Sequence, residues 1–387
     1  MKGLLNIVNR LKPSFSKGGK FGWLHSTFDA FETFLFVPGT VTAKGAHVRD
    51  CVDLKRVMSV MVLALMPALA FGIWNVGDQH SIAFGLEMTF WQKVWFGFLK
   101  VLPLIIVSYV VGLGIEFISA QIRGHEVNEG YLVTGMIIPL VMPVDVPLWI
   151  LAIAVAFAVI IGKEIFGGTG MNIWNPALLA RAFVFFAYPS KISGDTIWIE
   201  GLSGADKSLL ADGFSGATPL AQLANGAGAQ DLITTTGDHL SFMQMFIGNI
   251  PGAIGETSTI AILIGAVILI WTGVASWKIM LSCVLGALAI GLIVPDNVPV
   301  WYHLVMGGFA FGAIFMATDP VTSAQTECGK WIYGFLIGAM TIVIRVFNPG
   351  YPEGMMLAIL LMNTFAPLID YFVINSNIKK RAKRVAA

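Results

Sequence analysis

Charge is what this sequence has least of. Of 387 residues, 24 are Lys or Arg and 23 are Asp or Glu, 12% in all, about half the ~25% that a soluble domain carries on its water-facing surface. That scarcity excludes the two or three soluble domains the length alone would permit. The net charge of +1 says nothing about nucleic acid, because the basic residues cluster at the chain ends, and no nucleic-acid partner is expected. Cysteine is scarcer still. Cys51, Cys283 and Cys328 lie too far apart for a zinc or iron–sulfur motif and give no disulfide framework. Cys283, inside an apolar run, reads as a packed small residue. The N-terminus has no apolar core ahead of a small-residue cleavage site, so no signal peptide is expected.

What the chain has instead is 56% hydrophobic residues and a mean hydropathy of +0.77. Apolar segments run over 57–75, 101–119, 131–143, 148–162, 173–189, 258–277, 279–295, 300–317, 331–345 and 355–374. Most approach the ~17–25 residues needed to cross a hydrocarbon core of ~30 Å. The third is short, and fits either a re-entrant half-helix or a segment beginning earlier, near Glu126. The expectation is an all-α polytopic membrane protein of about ten transmembrane helices in two five-helix halves, read as an inverted repeat with broken or re-entrant segments.

Basic residues orient it. Residues 1–56 hold nine Lys or Arg, and Lys379, Lys380, Arg381, Lys383 and Arg384 close the chain. Ten spans put both ends on one side, together with the loops that carry Arg123, Lys163, Lys278 and Lys330. The enrichment of cytoplasmic loops in Lys and Arg makes that side cytoplasmic. The organisation that follows is a cytoplasmic N-terminal region over 1–56 and a first half over 57–189. An extracytoplasmic loop over 190–257 leads to a second half over 258–375 and a basic cytoplasmic tail over 376–387.

Ionisable residues inside apolar segments are the first candidates for function, because a charge in lipid is costly. Glu116, Glu164, Asp319 and Asp370 suit an ion or proton path, and each also suits a helix-end carboxylate or cap. Arg181, inside the fifth segment, requires an anionic partner: a bound ligand's anionic group or a structural carboxylate. Gly162 to Pro176 concentrates glycines with Asn172 and Asn175. The glycines let the backbone approach a flat ligand closely, and the amides carry donors and acceptors for a heterocycle edge. This stretch is not a dinucleotide fingerprint, and Asn175 before Pro176 is also an ordinary helix start. In the long loop, Ser215-Gly216-Ala217-Thr218 reads as a small-residue turn.

Six blocks in order carry a family resemblance. They are His125-Glu-Val-Asn-Glu-Gly130, Phe166-Gly-Gly-Thr-Gly170, Ser215-Gly-Ala-Thr218, Phe246-Ile-Gly-Asn-Ile-Pro-Gly-Ala-Ile-Gly-Glu256, Phe315-Met-Ala-Thr-Asp-Pro320 and Tyr351-Pro-Glu-Gly-Met-Met356. With them the chain, from about His47 to Asp370, resembles the NqrB family of the Na⁺-translocating NADH:quinone oxidoreductases. The resemblance implies FMN attached to Thr218 through a phosphoester, made outside the cytoplasm by a flavin transferase, with Ser215, Gly216 and Ala217 completing the motif. It implies a non-covalent riboflavin near Asn172 and Asn175, with Arg181 as a further cofactor-binding candidate. It implies quinone near Gly112, Val127, Glu129 and Gly130, and sodium handling by Asp29, Glu116, Asp319 and Asp370. Two departures stand out. Leu113 replaces the second glycine of a family pair, and Asp29 stands where Glu is common.

The implied activity is a translocase of the bacterial inner membrane, working with other subunits of a six-subunit complex. The chain itself offers no NADH site and no iron–sulfur ligands. The rival readings are the homologous FMN-bearing RnfD component of Rnf complexes, a flavin-free channel or transporter, and a purely structural membrane subunit.

Overall fold

The computed structural model describes residues 2–16, 19–22, 25, 28, 32, 36, 44–46, 54–123, 130–204, 214–348 and 350–385. Among them there is no β-strand, only an isolated bridge between Ile233 and His239. The described chain opens with α1 (Lys2–Phe15), α2 (Leu54–Ala83), α3 (Phe90–Arg123), α4 (Tyr131–Leu140), α5 (Leu148–Val159) and α6 (Pro176–Ala187). Then come two short helices, α7 (Pro219–Ala224) and α8 (Phe242–Ile247). The chain ends with α9 (Thr259–Thr272), α10 (Trp277–Gly291), α11 (Tyr302–Val305), α12 (Phe309–Phe311), α13 (Glu327–Phe347) and α14 (Met355–Val385).

Four helices, α2, α3, α13 and α14, are long and apolar enough to cross a membrane unaided. Their outer faces present Leu63, Ile106, Val110, Ile118, Leu368 and Phe372 to the surroundings. Exposed apolar area of that extent is unsuited to water. The remaining apolar segments are shorter or broken. α4 has 10 residues, about 15 Å of rise, half of a hydrocarbon core. It runs into the buried, irregular stretch Val141–Val146, and the Leu140 carbonyl accepts from the Gly255 amide at 2.7 Å. Segment 300–317 is divided into α11, α12 and a π-helical turn over Gly312–Met316. A second π turn, Ile160–Glu164, continues α5. Non-helical backbone at such depth is tolerable only where protein or a cavity surrounds it, and π turns frequently mark functional sites.

Helix pairing follows side-chain size. α13 carries Gly334-Phe-Leu-Ile-Gly338, which meets Ser282, Cys283 and Gly286 of α10. A Cβ at Gly338 would overlap the Cys283 carbonyl oxygen, and one at Gly286 would overlap that of Phe335. With lipid tails as apolar as leucine, helices gain by backbone proximity rather than by the hydrophobic effect, which is why small residues four apart line such contacts. Gly338→Val is therefore expected to pry α13 from α10. The cost should reach or exceed the upper end of the ~1–3 kcal/mol usual for overpacking, because backbone cannot rotate away as a side chain can. Thermal unfolding in detergent checks this, and an unchanged transition would refute the close contact.

Helices distant in sequence also pack together: α2 meets α9 and α6 meets α14, while α3 packs on α5 and α10 on α13. The stretch between α6 and α9 is a small folded cap rather than an open loop. Leu220, Leu223, Leu232, Leu240 and Met245 form its core with Ile250, Val298, Val305 and Met306. It is fastened to the ends of α2 and α3. Asn75 donates to the Ile250 carbonyl at 3.0 Å, Gln79 to Asn249 at 2.9 Å, and Lys100 pairs with Glu200 at 2.7 Å.

Candidate functional site

Two polar regions lie along α6, one at its start and one about its middle. At its start, Asn175 caps the helix, its Oδ1 accepting from Ala177 N at 3.0 Å and Leu178 N at 3.4 Å, with Pro176 in the first turn. Its Nδ2 donates to Asp319 Oδ2 at 3.4 Å. Asp319 also accepts from Val321 N and from the Thr322 hydroxyl, so its carboxylate shapes the turn that follows the π turn over Gly312–Met316. Asn172 donates to the Trp174 carbonyl at 3.1 Å.

These residues border a cavity with about 720 Å³ of empty space, whose wall also includes Gly130, Lys163, Thr169 and Phe315. Both π turns contribute to it, through Lys163 and Phe315. The cavity thus joins the riboflavin candidates Asn172 and Asn175, the quinone candidate Gly130 and the sodium candidate Asp319.

Behind the wall, Glu116, Ser119 and Arg123 recur three and four apart along α3, on one face. Glu116 forms a buried ion pair with Lys163. Glu164 accepts from Ser119 at 2.5 Å and from Arg123 at 3.3 Å. Gly112 lies under the buried Tyr131 ring, which a Cβ there would overlap. Tyr131 donates to the Ser108 carbonyl at 2.9 Å. Gly112 is therefore connected to Gly130 through the next residue rather than lining the cavity. Asp370 stands apart, accepting from Gln325 N, Thr326 N and the Thr326 hydroxyl, and so holds Thr326, the cap of α13, in place. Asp29, Val127 and Glu129 fall outside the described residues.

The second region centres on Arg181, one and a half turns further along α6. Its guanidinium donates to Glu256 Oε1 at 2.6 Å and lies 3.8 Å from Glu353, all three buried or nearly so. Glu353 also accepts from Gly308 N at 2.7 Å. Arg345 is held by the carbonyls of His303, Met306 and Glu353. His303 Nε2 sits 2.7 Å from Asp296, and that hydrogen bond holds the Asp296 carboxyl below its ordinary value.

Two adjoining cavities with about 510 and 390 Å³ of empty space open over this network, sharing Trp198, Thr218, Leu220 and Glu353 in their walls. Thr218 Oγ1 accepts from Ala221 N at 3.2 Å as the cap of α7, with Pro219 following. Ser215 Oγ accepts from Ala217 N at 3.4 Å, and a Cβ on Gly216 would overlap the Asp195 carbonyl. One wall residue, Thr257, keeps a buried hydroxyl without a partner among the described residues. A phosphoester-tethered group fits here: half-buried Thr218 lines both cavities, sharing one wall with Arg181 and the other with the orphaned Thr257 hydroxyl.

Glu256, Glu353, Arg345, Lys163 and Trp198 were not singled out by the sequence reading. Glu256 and Glu353 were visible in principle, since each ends or lies within a glycine- and proline-rich block next to an apolar segment. Their pairing with Arg181, 75 residues from Glu256 in sequence, had no local signal.

Residues 41–379 match the model of the NQR2, RnfD, RnfE family. The chain is 45% identical to the B-subunit of the Na(+)-translocating NADH-quinone reductase of Klebsiella pneumoniae (strain 342), covering 99% of this chain and 100% of that protein. It is 43% identical to the protein of the same name from Haemophilus influenzae (strain PittEE), over 99% of each chain. Against the corresponding Chromohalobacter salexigens protein it is 44% identical, over 100% of this chain and 97% of the other. The chain therefore belongs to the NQR2, RnfD, RnfE family.

Proposed function

We propose that this chain is the membrane subunit of a Na⁺-translocating NADH:quinone reductase. In this reading it passes electrons from an FMN carried on Thr218, through a riboflavin held near Asn172 and Asn175, to quinone beside Gly130, and couples that flow to Na⁺ export. The observation that carries the reading is the placement of two polar-lined cavities along one helix, α6. Asn175 opens α6 in one cavity, and Arg181, six residues on, lines the other. Six residues of α-helix rise only about 9 Å. The flavins would supply the redox chemistry. The protein's own part is orientation, exclusion of water and placement of charge.

The same reading makes the Thr218 end extracytoplasmic and the Asn175 end cytoplasmic, following the distribution of Lys and Arg. It places the chain in a bacterial inner membrane with the other subunits of its complex, and leaves attachment of FMN to a flavin transferase. The contacts of α2 with α9 and of α6 with α14 suit a two-fold relation between the halves, since elements related by the axis meet their own counterparts on it. Ten segments in two groups of five follow, with α4 and the α11–α12 segment as the broken ones. Glu116 and Asp319 are the sodium candidates nearest the cavity. Asp370, engaged as a cap, is the weakest of the set. The full-length likeness to the reductase proteins favours this assignment over the RnfD reading.

The test is direct. The complex, expressed with the flavin transferase, is denatured and run on a gel, and the band of this chain is viewed for flavin fluorescence. A fluorescent band that goes dark in Thr218→Ala is expected. A dark band from the unmodified chain, or fluorescence surviving the substitution, overturns the tether.

A further inference from the structure

Lys163 is the least satisfied of the buried cations among the described residues. Arg345 is held by three carbonyls, and Arg181 stands between two carboxylates. The Lys163 ammonium, with a side chain 4% exposed, has three donors and makes one hydrogen bond among the described residues, to Glu116. Its other neighbour is the face of Tyr131, 5.9 Å away. A buried ion normally needs its remaining protons satisfied as well as its charge, and two of these have no partner among the described residues. The same residue lines the cavity that includes Asn172, Asn175 and Gly130. It sits in a π turn, where an extra residue in the helix places Lys163 and Glu164 toward α3 together. The neighbouring Arg123–Glu164 pair is fixed by a further bond from Arg123 to the Glu164 carbonyl, 2.6 Å, and by Ser119. No comparable bond among the described residues fixes Lys163.

From this geometry we infer that Lys163 is a movable counter-charge, shared between Glu116 and a planar, carbonyl-bearing redox ligand in the cavity, and that its turn toward the ligand opens Glu116 to a sodium ion. The inference rests on the functional reading above. The charges balance. With the ligand oxidised, Glu116 and Lys163 cancel. One electron, delivered from the reduced flavin on Thr218, gives the ligand a negative charge, and no covalent bond forms or breaks in the protein. The ammonium, a point charge on a flexible four-carbon stem, then donates to the ligand's carbonyl oxygen. Glu116, a buried carboxylate that cannot stay unpaired, takes up one Na⁺, an ion that hard oxygen ligands suit. Electron and cation enter together, and the site returns to neutrality. When the electron leaves for quinone, Lys163 returns and expels the sodium ion.

Redox titration of the non-covalent flavin in the intact complex, at several sodium concentrations, tests this. In the unmodified complex the midpoint should rise with Na⁺, because a cation that binds the reduced state more tightly must by reciprocity stabilise that state. A tenfold difference in sodium affinity between the two states corresponds to about 59 mV for a one-electron couple. Lys163→Met should lower the midpoint and abolish its sodium dependence. Glu116→Gln should also abolish the dependence but should raise the midpoint, because the freed ammonium then serves the ligand permanently. Opposite shifts are what any ion pair near the ligand produces by Coulomb's law; loss of the sodium dependence in both variants is the signature that a merely structural pair would not give. Should Lys163→Met fail to assemble, the double variant Lys163→Met/Glu116→Gln buries no lone charge and should assemble with a sodium-independent midpoint. Shifts of the same sign, or a sodium dependence that survives in Lys163→Met or in the double variant, overturn the inference alone. Absence of non-covalent flavin from the unmodified complex overturns the functional reading itself.

Discussion

Replacing Arg181 with Ala is expected to destabilise the folded chain by about 3–5 kcal/mol, the usual cost of leaving a buried charge without its partner. The residue is 4% exposed, and its removal strands Glu256 beside Glu353 with only Arg345 nearby. Glu256→Gln should be far milder, since an amide oxygen still accepts from the guanidinium. Arg181→Lys should fall between them, because a point charge replaces a planar fork that reaches two carboxylates. Size-exclusion chromatography after heating in detergent reads the stability, and flavin fluorescence of the denatured band reads cofactor loading. If Arg181→Ala keeps its stability yet loses flavin, Arg181 is a ligand group rather than a strut. Loss of both, with flavin retained in Glu256→Gln, is the expected pattern. It would resolve the two partners that the sequence leaves equal for this arginine.

How much was legible beforehand follows from where each signal resides. Composition and hydropathy are local, so the membrane class could be read from the chain. Asn175 before Pro176 predicted a helix start, and that start is present with both hydrogen bonds of the cap. Apolar runs do not say whether a helix is continuous. Segment 131–143 was short enough to suggest a half-helix and contains one of 10 residues, whereas 300–317 looked much like its neighbours but is broken. What interrupts them is tertiary: the chain from Ile250 to Ser258 packs against Leu140 and brings Glu256 to Arg181. Long-range ion pairs have no period or spacing. Glu116 and Arg181 were therefore visible as charges out of place, while Lys163 and Glu256, which complete them, were not. Thr218 is the converse case. Nothing in its spacing distinguishes it, and its position over two cavities appears only when the cap around it has folded.

Gly130→Phe is expected to lower quinone reduction about 10²-fold, the scale of effect that displacement of a reacting group by an ångström produces. The backbone does not demand glycine here: Gly130 has φ −58° and ψ −27°, open to any residue. What glycine supplies is space, since even a Cβ would approach Thr169 Cγ2 to 2.5 Å, and a phenyl ring would extend into the cavity shared with Asn172, Asn175 and Lys163. Flavin on Thr218, in the other polar region along α6, should be unaffected, so the denatured band should still fluoresce and that flavin should still be reduced by NADH through the partner subunits. The non-covalent flavin content then separates two causes. If it is normal, the ring excludes quinone alone; if it falls, the two ligands occupy one continuous space. Gly130→Ala, which need only turn the Thr169 side chain, should retain most of the turnover. Gly112→Ala makes the complementary control, because its methyl group displaces the Tyr131 ring without entering the cavity. Full quinone turnover in Gly130→Phe would remove this cavity from the electron path, because no ligand of that size could share it with the ring.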